Sequence, residues 1–182
     1  MTSRAIDPEL DFEIAPYTVI VDTREQHPYS FQGFTCDAAK RYKPLIVPLE
    51  VAGLRTGDYS LKGFESVVAV ERKSLSDLYG SLGQNRERFQ REFERLAEME
   101  YAALVIEAGW GAIIGTPPPN SKLLPKTVYR TLIAWQQRYG VHVWPCDTRN
   151  FAERSTLRML ERFWWDKQKA TIRRQATARD TA

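Results

Sequence analysis

RTGDYSLKGFESVVAVERKSLSD, residues 55–77, decides how the rest of the chain is read. Gly57-Asp58 marks a tight turn, and Tyr59 to Leu61 is expected to pair across a Lys62-Gly63 turn with Val67 to Arg72. Side chains alternate along a strand, so Glu71 and Lys73 share one face and Arg72 takes the other. The apolar run Val67 to Val70 ends abruptly in those three charges. A strand buried on both faces ends in charge where its end reaches solvent or a site. Ser74 with Asp77 three positions on resembles a capping box, so a helix is predicted to start here. Leu75, Leu78, Tyr79 and Leu82 then fall at i, i+3, i+4 and i+7 on one buried face.

Upstream, Tyr17 to Val21 reads as a central strand, and it too ends in charge, at Asp22-Thr23-Arg24-Glu25. Ligands in open α/β sheets gather at the carboxyl ends of strands, although Asp22 taken alone equally suits a turn cap. His27 to Arg41 reads as a loop anchored by Phe31 and Phe34, and Pro44 to Val51 as a second strand.

Downstream, Gly83-Gln84-Asn85 breaks the first helix, and a second is predicted from Arg86 to Glu100. Phe89, Phe93, Leu96 and Ala97 mark its inner face. The mixed signs of Glu87, Arg88, Arg91, Glu92, Glu94, Arg95 and Glu98 read as a solvated face laced with ion pairs. Tyr101 to Ala108 is a further buried strand, with Glu107 at its end in a structural role. Gly109 to Ser121, with Pro117-Pro118-Pro119, reads as a rigid loop. A helix from Lys126 to Tyr139 with Gly140 as its C′ residue, a short strand Val141 to Trp144, and a last helix from near Thr148 complete the pattern. That helix grows basic toward its end. Trp164 and Trp165, adjacent on it, lie about 100° apart and so cannot face one core.

With 182 residues, 43% of them hydrophobic, the chain is long enough for one α/β domain with a sizeable core. A formal net charge of +3 permits a nucleic-acid partner without demonstrating one. Two distant cysteines, Cys36 and Cys146, give no disulfide framework, and two histidines leave little for a zinc site, so a reducing, cytoplasmic setting is expected. No apolar run approaches the roughly 20 residues that span a bilayer, and the N-terminus lacks the apolar core of a signal peptide.

Asp58, a gap of about a dozen residues, then Glu71-x-Lys73 is the arrangement of Mg²⁺-dependent nucleases of the restriction-endonuclease type. VDTRE (21–25), GDY (57–59), VERKSLSDLYGSL (70–82) and Arg86 follow one another with the spacing of the XPF-type structure-specific nuclease family. The chain resembles that family closely from Tyr17 to Trp110 and by order of elements from Pro125 to about Trp165. The resemblance implies a restriction-endonuclease-like three-layer α/β/α fold with a central mixed sheet. It divides the chain into a loose lead-in (1–16), a nuclease domain (17–165) and a basic C-terminal helix end or tail (166–182).

It further implies hydrolysis of DNA phosphodiesters at flaps, forks or junctions, where single and double strands meet. Asp22, Asp58, Glu71 and the backbone carbonyl of Arg72 are implied ligands of Mg²⁺, with Mn²⁺ able to substitute. Lys73 would position or deprotonate water, or contact the phosphate. Glu25 would be a further acidic member of the site, and Asp77 either a helix cap or a neighbour of the metal. Arg24, Arg72 and Arg86 are the implied DNA contacts. Family nuclease domains usually pair, so a homodimer is expected. The helix-hairpin-helix module and helicase of many members have no counterpart here. The expectation is a stand-alone domain of the compact kind found in bacteria or their viruses. A Holliday-junction or duplex nuclease of the same fold, and a non-catalytic DNA-binding scaffold, stay open as alternatives.

Overall fold

The computed structural model describes residues 12–36 and 43–180, with the side chains of 174–180 excepted. The main sheet has six strands in the order β5-β2-β6-β7-β8-β9. They are β2 (Val19–Asp22), β5 (Leu49–Ala52), β6 (Tyr59–Leu61), β7 (Val68–Lys73), β8 (Tyr101–Ile106) and β9 (His142–Pro145). β2 runs parallel to β5 and antiparallel to β6, β6 is antiparallel to β7, and β7, β8 and β9 are parallel. The sheet is therefore mixed, as expected. β1 (Glu13–Ile14), β3 (Phe34–Thr35) and β4 (Pro44–Ile46) form a small second sheet, in the order β1-β4-β3.

Helices cover both faces of the main sheet. On one face α1 (Leu75–Leu82), α2 (Arg86–Leu96), α3 (Trp110–Gly115) and α4 (Pro125–Tyr139) bury Leu78, Leu82, Phe89, Phe93, Leu96, Val128 and Leu132 against Ala69, Ala102 and Leu104. On the other, α5 (Arg149–Asp180) lays Ala152, Leu157 and Leu160 against Val68, Val70, Ala103 and Val105. The alternation of Val68, Ala69 and Val70 between the two cores is the pleat of β7 at work. Tyr29, Phe31 and Phe34 pin the loop after β2 into the α5-side core, as its aromatic residues suggested.

Several boundaries moved. Pro44 to Val51 is two strands, because Val47-Pro48 carries the chain from the small sheet to the main one, and proline cannot donate to a central ladder. Gly109 to Ser121 contains the short helix α3 ahead of its prolines. The second helix stops at Leu96, leaving Ala97 exposed. Residues 1–11 of the expected lead-in and 37–42 of the expected loop lie outside the described residues. Trp164 packs on Tyr17 with ring centroids 5.8 Å apart, whereas Trp165 is the exposed member of the pair. Among the described residues no helix is long and apolar enough to cross a membrane.

Candidate active site

The carboxyl end of β7 opens into a cleft of about 600 Å³, walled by the segment after β2, the turn before β6, and α1 and α2. Gly57 is what brings Asp58 there. Its φ of +79° lies in the left-handed region, and a Cβ on it would stand 3.0 Å from that of Ala69 and 3.3 Å from the Val70 carbonyl. The turn can thus lie flat on β7. Asp58 N then donates to Val70 O (2.9 Å), Asp22 N to Asp58 O (2.9 Å), and Arg72 N to Asp58 Oδ2 (2.7 Å). Asp58 is fixed by backbone on both sides, with its carboxylate on the cleft wall.

Glu71 and Lys73 point to the α1–α2 side, as alternation requires. Lys73 Nζ donates to Glu71 Oε1 and sits 5.3 Å from the centre of the Phe89 ring. Glu71 is 2% exposed, and its second oxygen, Oε2, is buried without a hydrogen-bond partner. An orphaned carboxylate oxygen costs free energy and calls for a cation or a proton. Burial pushes the Asp58 carboxyl up to about 6, with the charges of Glu25 and Glu92 adding to the effect and Lys73 and the Arg72 amide opposing it. Glu71 is raised well above the usual carboxylate range by burial and then by the charge of Asp58. Burial would lower Lys73, but the adjoining Glu71 outweighs it and holds the side chain as an ammonium. Two crowded, desolvated carboxylates with one unpartnered oxygen are the donor set that a hard divalent cation relieves. Among the described residues no three His, Cys, Asp or Glu side chains form a ready-made cage. Mg²⁺ needs only one or two carboxylates, so the residues present fit such an ion.

Asp22 departs from expectation. Oδ1 accepts from Arg24 N (2.9 Å) and Arg24 Nε (2.6 Å), and Oδ2 from Arg24 Nη2 (3.1 Å) and Leu54 N (2.6 Å). Burial acts to raise this carboxyl, and the Arg24 and Leu54 bonds overcome it and hold it low. With both oxygens committed to Arg24 and Leu54, Asp22 is engaged as a clasp on Arg24.

Arg72 also differs. Its guanidinium is gripped by Glu107 (Nε–Oε1 2.7 Å, Nη2–Oε2 2.9 Å) and by Glu25 (Nη1 3.3 Å to each oxygen). Bidentate pairing of this kind fixes a side chain firmly. Glu107 in turn accepts from Tyr29 Oη (3.0 Å) and Arg149 Nη1 (2.8 Å). The expected DNA contact is therefore the centre of an ion-pair cluster, and Glu25 reaches the cleft as part of it. Arg86 turns away altogether. It donates to Thr131 Oγ1 (3.2 Å) and lies over Trp135, joining α2 to α4. Arg24 does line the cleft, with its side chain 67% exposed. Asp77 takes the capping role: its N–H is capped by Ser74 Oγ (3.1 Å) and its Oδ2 accepts from that hydroxyl (2.7 Å), and it also lines the cleft.

Two residues read as part of a solvated face, Arg88 and Glu92, also line the cleft. Both follow from the helical spacing of Phe89, since Glu92 lies three residues on from the ring beneath Lys73. Among the described residues Arg88 and Glu92 make no ion pair.

A model of the ERCC4 domain matches residues 21–159. No curated protein matches the chain. Among solved structures, XPF from Aeropyrum pernix is similar with a TM-score of 0.58 and 22% identity, over 80% of this chain and 60% of that one. XPF from Aeropyrum pernix in complex with DNA gives 0.57 and 22%, over 83% and 66%. The chain thus spans less than two thirds of the length of either structure. These likenesses establish the α/β, restriction-endonuclease-like fold, and the family model spans most of the chain. This chain belongs to the ERCC4 domain family, that of the XPF-type nucleases.

Proposed function

We propose that the chain is a Mg²⁺-dependent endonuclease that hydrolyses phosphodiesters at branched DNA such as flaps, forks or junctions. One observation carries the reading. Asp58 and Lys73 line an open cleft, and the buried Glu71, with an orphaned oxygen, is paired with the Lys73 ammonium and close enough to Asp58 for their charges to interact. The family supports nuclease chemistry in general, and the DNA in one similar structure supports a nucleic-acid partner.

Asp58, Glu71 and the Arg72 carbonyl would hold the ion. When bound, Mg²⁺, or Mn²⁺ in its place, supplies positive charge to the scissile phosphate and makes water there more acidic. The remaining work falls to the chain. Lys73, paired with Glu71, is placed to position the attacking water or to donate to a phosphate oxygen and stabilise charge growing there. Arg24 and Arg88 on the rim hold the flanking backbone phosphates, which positions the strand without reading bases. Asp22 keeps Arg24 in place. Glu25 and Glu107 lock Arg72, whose amide orients Asp58. Two copies are proposed to act as a homodimer in a cytoplasmic setting.

Labelled flap, fork, four-way junction and linear duplex test this with Mg²⁺, with Mn²⁺ and with chelator. Cleavage of the branched forms that depends on the ion and is lost in Glu71→Gln is expected. Equal cleavage of linear duplex would move the chain to a plain duplex nuclease. Binding without cleavage under any ion would make it a scaffold.

A further inference from the structure

The cleft does not end at α1. On the far side of this helix a second cavity, about 610 Å³, lies between α1 and the segment linking α3 to α4, lined by Tyr79, Gly83, Gln84, Asn120, Ser121 and Lys122. The two cavities share two residues, Ser76 and Gly80, one helical turn apart. These form a low saddle between them. Gly80 needs explanation, because an interior glycine weakens a helix relative to alanine. The fold does not demand it: a Cβ built there would meet nothing within 4 Å. The bare backbone instead leaves the outer path over α1 open.

The second cavity has different chemistry from the cleft. No carboxylate lines it, and Pro118 and Leu123 supply apolar surface. Gln84, Asn120 and Lys122 make no hydrogen bond or ion pair with any described residue, so two amides and an ammonium are available in this cavity.

We infer that a single-stranded stretch of the DNA held in the cleft crosses Ser76 and Gly80 and lies in this second cavity. The inference rests on the nuclease reading and deepens it by assigning a path to one arm of the branch. A duplex is too stiff for the turn over α1, with a persistence length of about 150 bp. A single strand bends freely, offers phosphates to Lys122, and turns base faces toward apolar and amide groups in a sequence-tolerant way.

Fluorescence anisotropy on the Glu71→Gln protein with Ca²⁺ tests this, using blunt duplex and forks whose single-stranded arms grow from none to eight nucleotides. Affinity is expected to rise with arm length and then level off. Lys122→Glu, Asn120→Ala and Gly80→Leu should each remove about five- to tenfold of that gain and leave blunt-duplex binding unchanged. Lys122 and Asn120 are exposed loop residues, so those variants report on the groove even where Gly80→Leu disturbs α1. Affinity independent of arm length, or equal losses on blunt and forked DNA, would overturn the path while leaving the nuclease reading intact. Failure of the parent to bind or cleave any DNA would overturn both.

Discussion

Asp58 carries an electrostatic burden that can be measured without any substrate. Its carboxyl stands at about 6 through burial in the metal-free chain, against an ordinary value near 3.9 in the unfolded chain. A raised folded-state value means the folded state binds the proton more tightly. The associated stability is full below about pH 4 and is lost as the pH rises through about 6. Glu71 acts in the same direction. The metal-free protein should therefore melt lower at pH 8 than at pH 5.5 on account of this pair. Mg²⁺ should raise the melting temperature more at pH 8, where no proton competes for the oxygens. Asp58→Asn should raise the metal-free melting temperature at pH 8, abolish cleavage and erase the Mg²⁺ response. Differential scanning calorimetry at the two pH values checks all three, and a Mg²⁺ response equal in parent and variant would contradict the assignment. Asp22→Asn is a contrasting case. It disturbs a carboxylate with four donors, so a stability loss of about 1–3 kcal/mol is expected with a smaller loss of cleavage than Glu71→Gln shows.

At the scale of elements, much of the site was legible because strand geometry is strict. Alternation along Val68–Lys73 put Glu71 and Lys73 on one face, and Gly57-Asp58 announced a turn beside them. What was not legible depended on side chains finding partners across long stretches of chain. Nothing local in Arg72 shows that Glu107, 35 residues away, will take its guanidinium, nor in Arg86 that Thr131 and Trp135 will claim it. That Arg88 and Glu92 border the cleft was not legible, because a mixed-charge helix face looks the same whether or not it lines a site until its docking angle is known. Turn glycines offer a direct check on the elements. Gly140 closes α4 at φ +68° with open space around a Cβ, so Gly140→Ala should cost only the left-handed strain, about 1–2 kcal/mol, and spare cleavage. Gly57→Ala meets the same strain and also Ala69 at 3.0 Å, so it should push Asp58 off β7 and lose cleavage by at least tenfold while the protein still folds. Circular dichroism beside a cleavage assay separates the two; equal cleavage by both variants would count against the close approach as the device that places Asp58.

For the whole molecule, a six-stranded sheet between two helical layers places the site at one end and leaves α5 on the opposite face. A groove of about 670 Å³ runs along α5, lined in part by Trp144, Phe151, Met159 and Phe163. Trp165 stands 44% exposed on the same helix. These surfaces make the expected homodimer testable by light scattering. Phe151→Glu and Trp165→Glu should convert a dimer to a monomer, and a monomeric parent would remove the homodimer from the account.

The convergence of Asp58 and Glu71 on a divalent cation underlies everything else, and Mn²⁺ titration followed by electron paramagnetic resonance addresses it directly. The parent should bind the ion at this site, and Asp58→Asn and Glu71→Gln should each weaken that binding by at least tenfold, with Arg86→Ala unchanged. Parent-like Mn²⁺ affinity in both carboxylate variants would contradict the account.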